Sequence, residues 1–91
     1  MNKVQFFGQI LEISDIEFSY YNQVQAIIYG KIKVNKYIPF DFYITGNLVK
    51  FASKHLKVNK YALLCGKVIS EEKRGIRNSF VKFHINEIYI L

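Results

Sequence analysis

The stretch VQAIIYGKIKV, residues 24–34, sets Tyr29, Lys31 and Lys33 at alternate positions, and Tyr43 stands in IPFDFYIT, residues 38–45. In a strand every second side chain points to the same side, so these residues share one face if the two segments are neighbours. Tyr37 lies in the turn between them. Rings can stack on unpaired bases and ammonium groups can neutralise phosphates. Those are the two parts needed to hold a single-stranded polynucleotide without reading its sequence. Reading a duplex needs a helix or ribbon aimed into a groove, and no such pattern is present. Two readings fit Tyr29 and Tyr43: base stacking, or pairing with each other across strands to cover the sheet. The lysines between them favour stacking and, for Lys31 and Lys33, phosphate contact over ordinary solvation. Phe40 and Phe42 take the opposite phase and are expected in the core.

A second basic group lies in EEKRGIRNS, residues 71–79, with Lys73, Arg74 and Arg77 around a glycine. It reads as a hairpin tip able to wrap a polyanion, although Glu71 and Glu72 offset part of its charge. Thirteen Lys and Arg against seven Asp and Glu leave a net charge of +6, which points to a polyanionic partner.

Chemistry of other kinds has no foothold. His55 and His84 lack metal-ligand spacing, and the seven acids form no motif suggesting a carboxylate pair. There is no phosphate-binding glycine loop, no nucleophile elbow and no Cys–His pair. The chain reads as a binding protein rather than an enzyme, with no cofactor and no metal. Its single cysteine, Cys65, sits in a strand-like run and reads as a buried bystander. It cannot form an internal disulfide, which agrees with a reducing compartment. No apolar run approaches the roughly 20 residues of a membrane helix, and the N-terminus is not a secretory signal. A cytoplasmic location without membrane contact is expected.

The elements that must position these residues follow from periodicity. Ninety-one residues make one domain, 1–91. Residues 4–14 read as a strand with Val4, Phe6, Gly8 and Ile10 on one face and Phe7, Leu11 and Ile13 on the other. Residues 15–23 form a hairpin-like polar and aromatic connector. Its rings, Phe18, Tyr20 and Tyr21, either close over a base or bury in an oligomer seam. Strands follow at 24–34 and 38–45. A short helix follows Gly46, with Asn47 as its cap and Leu48, Phe51 or Ala52, and Leu56 on its buried stripe. Asn59 suits a left-handed exit turn. Strands at 60–70 and 80–91 complete the chain. Strand, strand, strand, helix, strand, strand is the order of the five-stranded Greek-key OB-fold barrel, an all-β class with one helix between strands three and four. Gly8 and Gly30 suit strands that must curl to close it.

The opening NKVQFFGQI and the block GNLVKFASKHLKVNKYALLCGKV, with Gly46, Leu48, Ala52, Leu56 and Gly66, resemble the single-stranded DNA-binding protein (SSB) family of bacteria and phages. The resemblance covers nearly the whole chain. It departs in having Asn59 where the family has glycine, no Trp, and Thr45 where the family has Phe before the helix glycine. The family's acidic tail does not follow Leu91, so the likeness is to a short form, phage- or mobile-element-like or primosomal. What the resemblance implies is single-stranded DNA binding in replication, recombination or DNA transfer, through Tyr29, Lys31, Lys33, Tyr37 and Tyr43. It also implies a wrapping arm carrying Lys73, Arg74 and Arg77, and a homodimer or homotetramer paired through the first strand. Two other functions stay open: a primosomal adaptor working through protein contacts, and an RNA-binding OB protein.

Overall fold

The computed structural model describes residues 3–19, 24–36, 38–71 and 80–91. The elements are β1 (Lys3–Ile13), β2 (Glu17–Ser19), β3 (Gln25–Lys33), β4 (Phe40–Thr45), α1 (Leu48–His55), β5 (Tyr61–Glu71) and β6 (Phe80–Ile90). Five long strands close on themselves: β1 pairs with β3, β3 with β4, β4 with β6, β6 with β5, and β5 with β1. All pairings are antiparallel except β4 with β6. This is the OB-fold barrel. The connector that reads as hairpin-like supplies β2, a three-residue strand laid antiparallel on the start of β3.

Alternation builds the interior. Ile10, Ile28, Ile32, Phe42, Ile44, Leu64 and Ile85 project inward and are sealed from water, with Phe6, Phe40 and Phe83 packed edge-to-face or tilted beside them. Closure needs β1 to serve two neighbours. A Cβ at Gly8 would overlap the Lys33 carbonyl of β3, so the missing side chain is what lets the strands meet there.

Two bulges shift the phase of the pattern. Leu11 has no partner between the pairs Ile10–Ile32 and Glu12–Lys31. The extra residue turns Glu12 outward and Ile13 inward, where it packs against the core. The face expected to carry Phe7, Leu11 and Ile13 together is therefore split. In β6, Asn86 is the extra residue between Ile85–Gly66 and Glu87–Cys65. It lets Phe83 and Ile85 face inward before it and Ile88 after it.

The helix plugs the barrel through Val49, Ala52 and Leu56. Of the alternatives Phe51 and Ala52, Ala52 is the buried one; Phe51 is exposed and leans on His55, ring centroids 4.8 Å apart. Asn47 does not cap by its side chain. It already has helical backbone angles, and the Gly46 carbonyl accepts the Val49 N–H at 3.2 Å. Gly46 itself turns the chain at φ +70°, a conformation that costs glycine little. Asn59 takes the left-handed conformation at φ 73°. Its N–H donates to the Ile10 carbonyl at 2.7 Å, tying the exit turn to β1. Among the described residues, no helix is long and apolar enough to cross a membrane.

Candidate nucleic-acid interface

Tyr29 is fixed first by its backbone. Its N–H donates to the Ser14 hydroxyl at 2.9 Å, and its carbonyl accepts the Ser14 N–H at 2.8 Å. Ser14 follows the end of β1, so the ring stands where β1 and β3 part. The phenol points outward, 42% exposed. Tyr43 lies directly across on β4 and is half-buried. The two tyrosines occupy adjacent positions on one wall, as alternation requires.

The wall extends beyond these strands. Because β4 runs parallel to β6, Tyr43 registers with His84, and His84 in turn registers with Lys67 of β5. The imidazole lies flat against the phenol, centroids 4.7 Å apart and planes 5° from parallel. One face of Tyr43 is thus already in contact. The His84 Nε2 sits 2.8 Å from the Thr45 hydroxyl. Burial first, and the Lys67 ammonium second, hold the His84 pKa below its ordinary value. Lys82 reaches from β6 over the Tyr29 ring, its Nζ 5.7 Å from the centroid, within cation–π range.

The lysines on β3 are not equivalent. Lys31 registers with Glu12 on one side and Asp41 on the other, so two carboxylates on the same wall offset its charge. Lys33 registers with Gln9. Both are exposed. Between β1, β3 and β4 an open cleft of about 600 Å³ is lined by Glu12, Ser14, Tyr29, Lys31, Asp41 and Lys82, with Leu11, Phe42 and Val58 as apolar floor. Its mixture of ring, ammonium and carboxylate groups can stack a flat polar molecule and both donate to and accept from its edges.

The structure thus brings Tyr29, Lys31, Lys33 and Tyr43 to one wall. Tyr37, Lys73, Arg74 and Arg77 lie outside the described residues, as do Tyr20 and Tyr21. Phe18, on β2, is exposed. Sequence reasoning passed over Ser14, Lys67, Lys82 and His84. The signal for Lys82 and His84 is their phase in FVKFHINEIYI, opposite to Phe83 and Ile85; that they join Tyr29 and Tyr43 follows only from the parallel β4–β6 pairing.

A different wall forms across β1, β5 and β6. Phe7 registers with Leu63, and Leu63 with Tyr89. Phe7 and Tyr61 stack at 6.0 Å and 20°. Phe7, Tyr61 and Tyr89 are each about half exposed, at 50%, 49% and 54%. The Tyr89 hydroxyl donates to Glu87 at 2.8 Å, which raises the phenol's pKa. Cys65 follows Leu63 on the same face and is buried, its pKa raised by burial and then by Glu87.

No family model matches the sequence, and no curated protein matches it. Solved structures do match the fold. The SSB domain of a protein from Synechococcus sp. superposes with a TM-score of 0.81 at 10% identity, over 98% of this chain and 94% of that one. The second single-stranded DNA-binding protein of Mycobacterium smegmatis superposes with a TM-score of 0.74 at 13% identity, over 99% of this chain and 86% of that one. At these identities the likeness establishes the OB-fold.

Proposed function

We propose that this OB-fold protein binds single-stranded DNA without regard to sequence, and that it acts in the cytoplasm in replication, recombination or DNA transfer. The observation that carries the reading is the wall where Tyr29 and Tyr43 face each other across β3 and β4, with Lys82 over Tyr29 and an open cleft lined by Tyr29, Lys31 and Lys82. Rings supply stacking worth about 1–3 kcal/mol per base, and ammonium groups supply the phosphate term. The similar solved structures, described as SSB proteins, agree with it. In this reading Lys31, Lys33, Tyr29 and Tyr43 meet the strand on the barrel. Tyr37 and the segment with Lys73, Arg74 and Arg77 add contacts beside it.

The apolar wall of Phe7, Tyr61, Leu63 and Tyr89 favours a second element of the proposal, a homodimer or homotetramer that covers it. The same wall is what a primosomal adaptor would use to hold a protein partner.

Titration of fluorescent dT, rU and duplex oligomers across a salt series separates the readings. Tight dT binding with a steep negative salt slope is expected. Binding of dT that is no tighter than micromolar, while the protein still self-associates, overturns the DNA reading in favour of the adaptor. Tighter binding of rU than of dT replaces it with an RNA-binding role.

A further inference from the structure

This inference rests on the reading of the β3–β4 wall as a single-strand interface. We propose that the interface continues past β4 onto β6 and β5, with His84 as its positioning residue and Lys82 and Lys67 as its outer phosphate contacts.

Four side chains register across four neighbouring strands: Tyr29, Tyr43, His84 and Lys67. At about 4.8 Å per strand the row is roughly 14 Å long, long enough to meet more than one nucleotide. Each tyrosine in it meets a β6 side chain. Lys82 lies over Tyr29, and the His84 imidazole lies flat on Tyr43. His84 is in turn tethered to Thr45. A ring fixed in advance loses less freedom when a base stacks on it, so β6 prepares both tyrosines for binding.

Among the described residues, the charged and titratable groups around His84 are few. Lys67 faces it from β5 and Tyr43 from β4. Asp41 lies two residues from Tyr43, on the same phase. Lys82 is two residues away on β6 itself, and Tyr29 stands one strand further on β3. Partial burial and Lys67 keep the imidazole neutral at neutral pH. A phosphate drawn to Lys67 and Lys82 relieves that repulsion and favours the imidazolium. Binding and protonation must then strengthen one another, since coupling between two binding events is reciprocal.

The test compares the wild type, His84→Gln and His84→Phe. Binding of a fluorescent dT oligomer is measured from pH 5 to 8 at fixed salt. The imidazole signals of the wild type are titrated by NMR with and without dT, and His55, exposed on α1, serves as the internal reference. Wild-type affinity is expected to rise toward acid more steeply than that of His84→Gln, with a salt slope larger by about 0.7 at acid pH. The His84 pKa is expected to move up when dT is bound. His84→Phe keeps a ring against Tyr43 and is expected to retain more neutral-pH affinity than His84→Gln, without the acid response. Superimposable pH profiles for wild type and His84→Gln, with a His84 pKa indifferent to dT, overturn the extension and leave the β3–β4 interface standing. If the wild type binds no dT at any pH, both fall. If the variants do not fold by circular dichroism, the wild-type NMR titration decides alone.

Discussion

Two walls of the same barrel carry exposed rings, and they differ in what lies between the rings. On β3, β4 and β6, Tyr29 and Tyr43 alternate with Lys31, Lys33, Lys82 and His84, and the backbone of Tyr29 is clamped by Ser14. On β1, β5 and β6, Phe7, Tyr61 and Tyr89 crowd around Leu63, and Tyr89 donates to the Glu87 carboxylate. Rings alone do not name a partner, because any ring will bury against any apolar surface. Cations interleaved with rings favour a flat, negatively charged ligand, while rings packed on leucine favour a protein surface.

The contrast can be broken by experiment, and the largest effect is expected on the apolar wall. Replacing Phe7 and Tyr89 together by Asp should abolish self-association outright, measured by gel filtration with light scattering. A wild type that is already monomeric at high concentration removes that wall's assigned role. Next comes Tyr29→Ala, expected to weaken dT binding by about 1–3 kcal/mol, roughly 5- to 150-fold. Phe7→Ala should change the same titration little; equal losses from the two would erase the distinction. A smaller effect separates the lysines. Lys33→Ala should flatten the salt slope by roughly 0.7 for single-stranded DNA. Lys31→Ala should flatten it less, because Glu12 and Asp41 flank it. A steeper change from Lys31→Ala would mean that the carboxylates do not screen it.

The smallest effect is on stability against pH, and the two walls should answer opposite ends of the scale. The His84 pKa is lowered in the folded chain, so below about 6.5 the unfolded chain takes up a proton that the folded chain resists. Stability from this group is present above that value and falls as pH drops toward the lowered one. The Tyr89 pKa is raised, so its contribution is present below about pH 10 and is lost as pH rises beyond. Thermal melts should show the acid loss shrink in His84→Gln and the alkaline loss shrink in Tyr89→Phe.

Much of this was legible in the chain itself. The inward and outward phases of β3 and β4, the left-handed Asn59 and the close approach at Gly8 follow from local pattern. What escaped was non-local. A bulge is one residue with no partner, and nothing in QILEIS marks Leu11 rather than its neighbours; yet it decides that Ile13 faces inward and Glu12 stands beside Lys31. The helix stripe of Leu48, Ala52 and Leu56 packs on the core as expected, but Val49, which is buried with it, is not picked out, because eight residues give too few turns to fix the phase. His84 was set aside as a lone histidine, since its value comes from a strand some forty residues earlier in the chain. Lys73, Arg74, Arg77 and Tyr37 remain expectations from charge and position.

The double duty of β1 reaches into how the molecule is made. Its second edge waits for β5, whose first residue, Tyr61, lies about fifty positions downstream of Gln9. At ribosomal speeds of roughly 5–20 residues per second that is a delay of some seconds. Through that interval the nascent segment trails an unsatisfied ribbon bearing Phe6 and Phe7, an invitation to passing chaperones. Closure of the cylinder is therefore expected to be slow, governed by its distant seams.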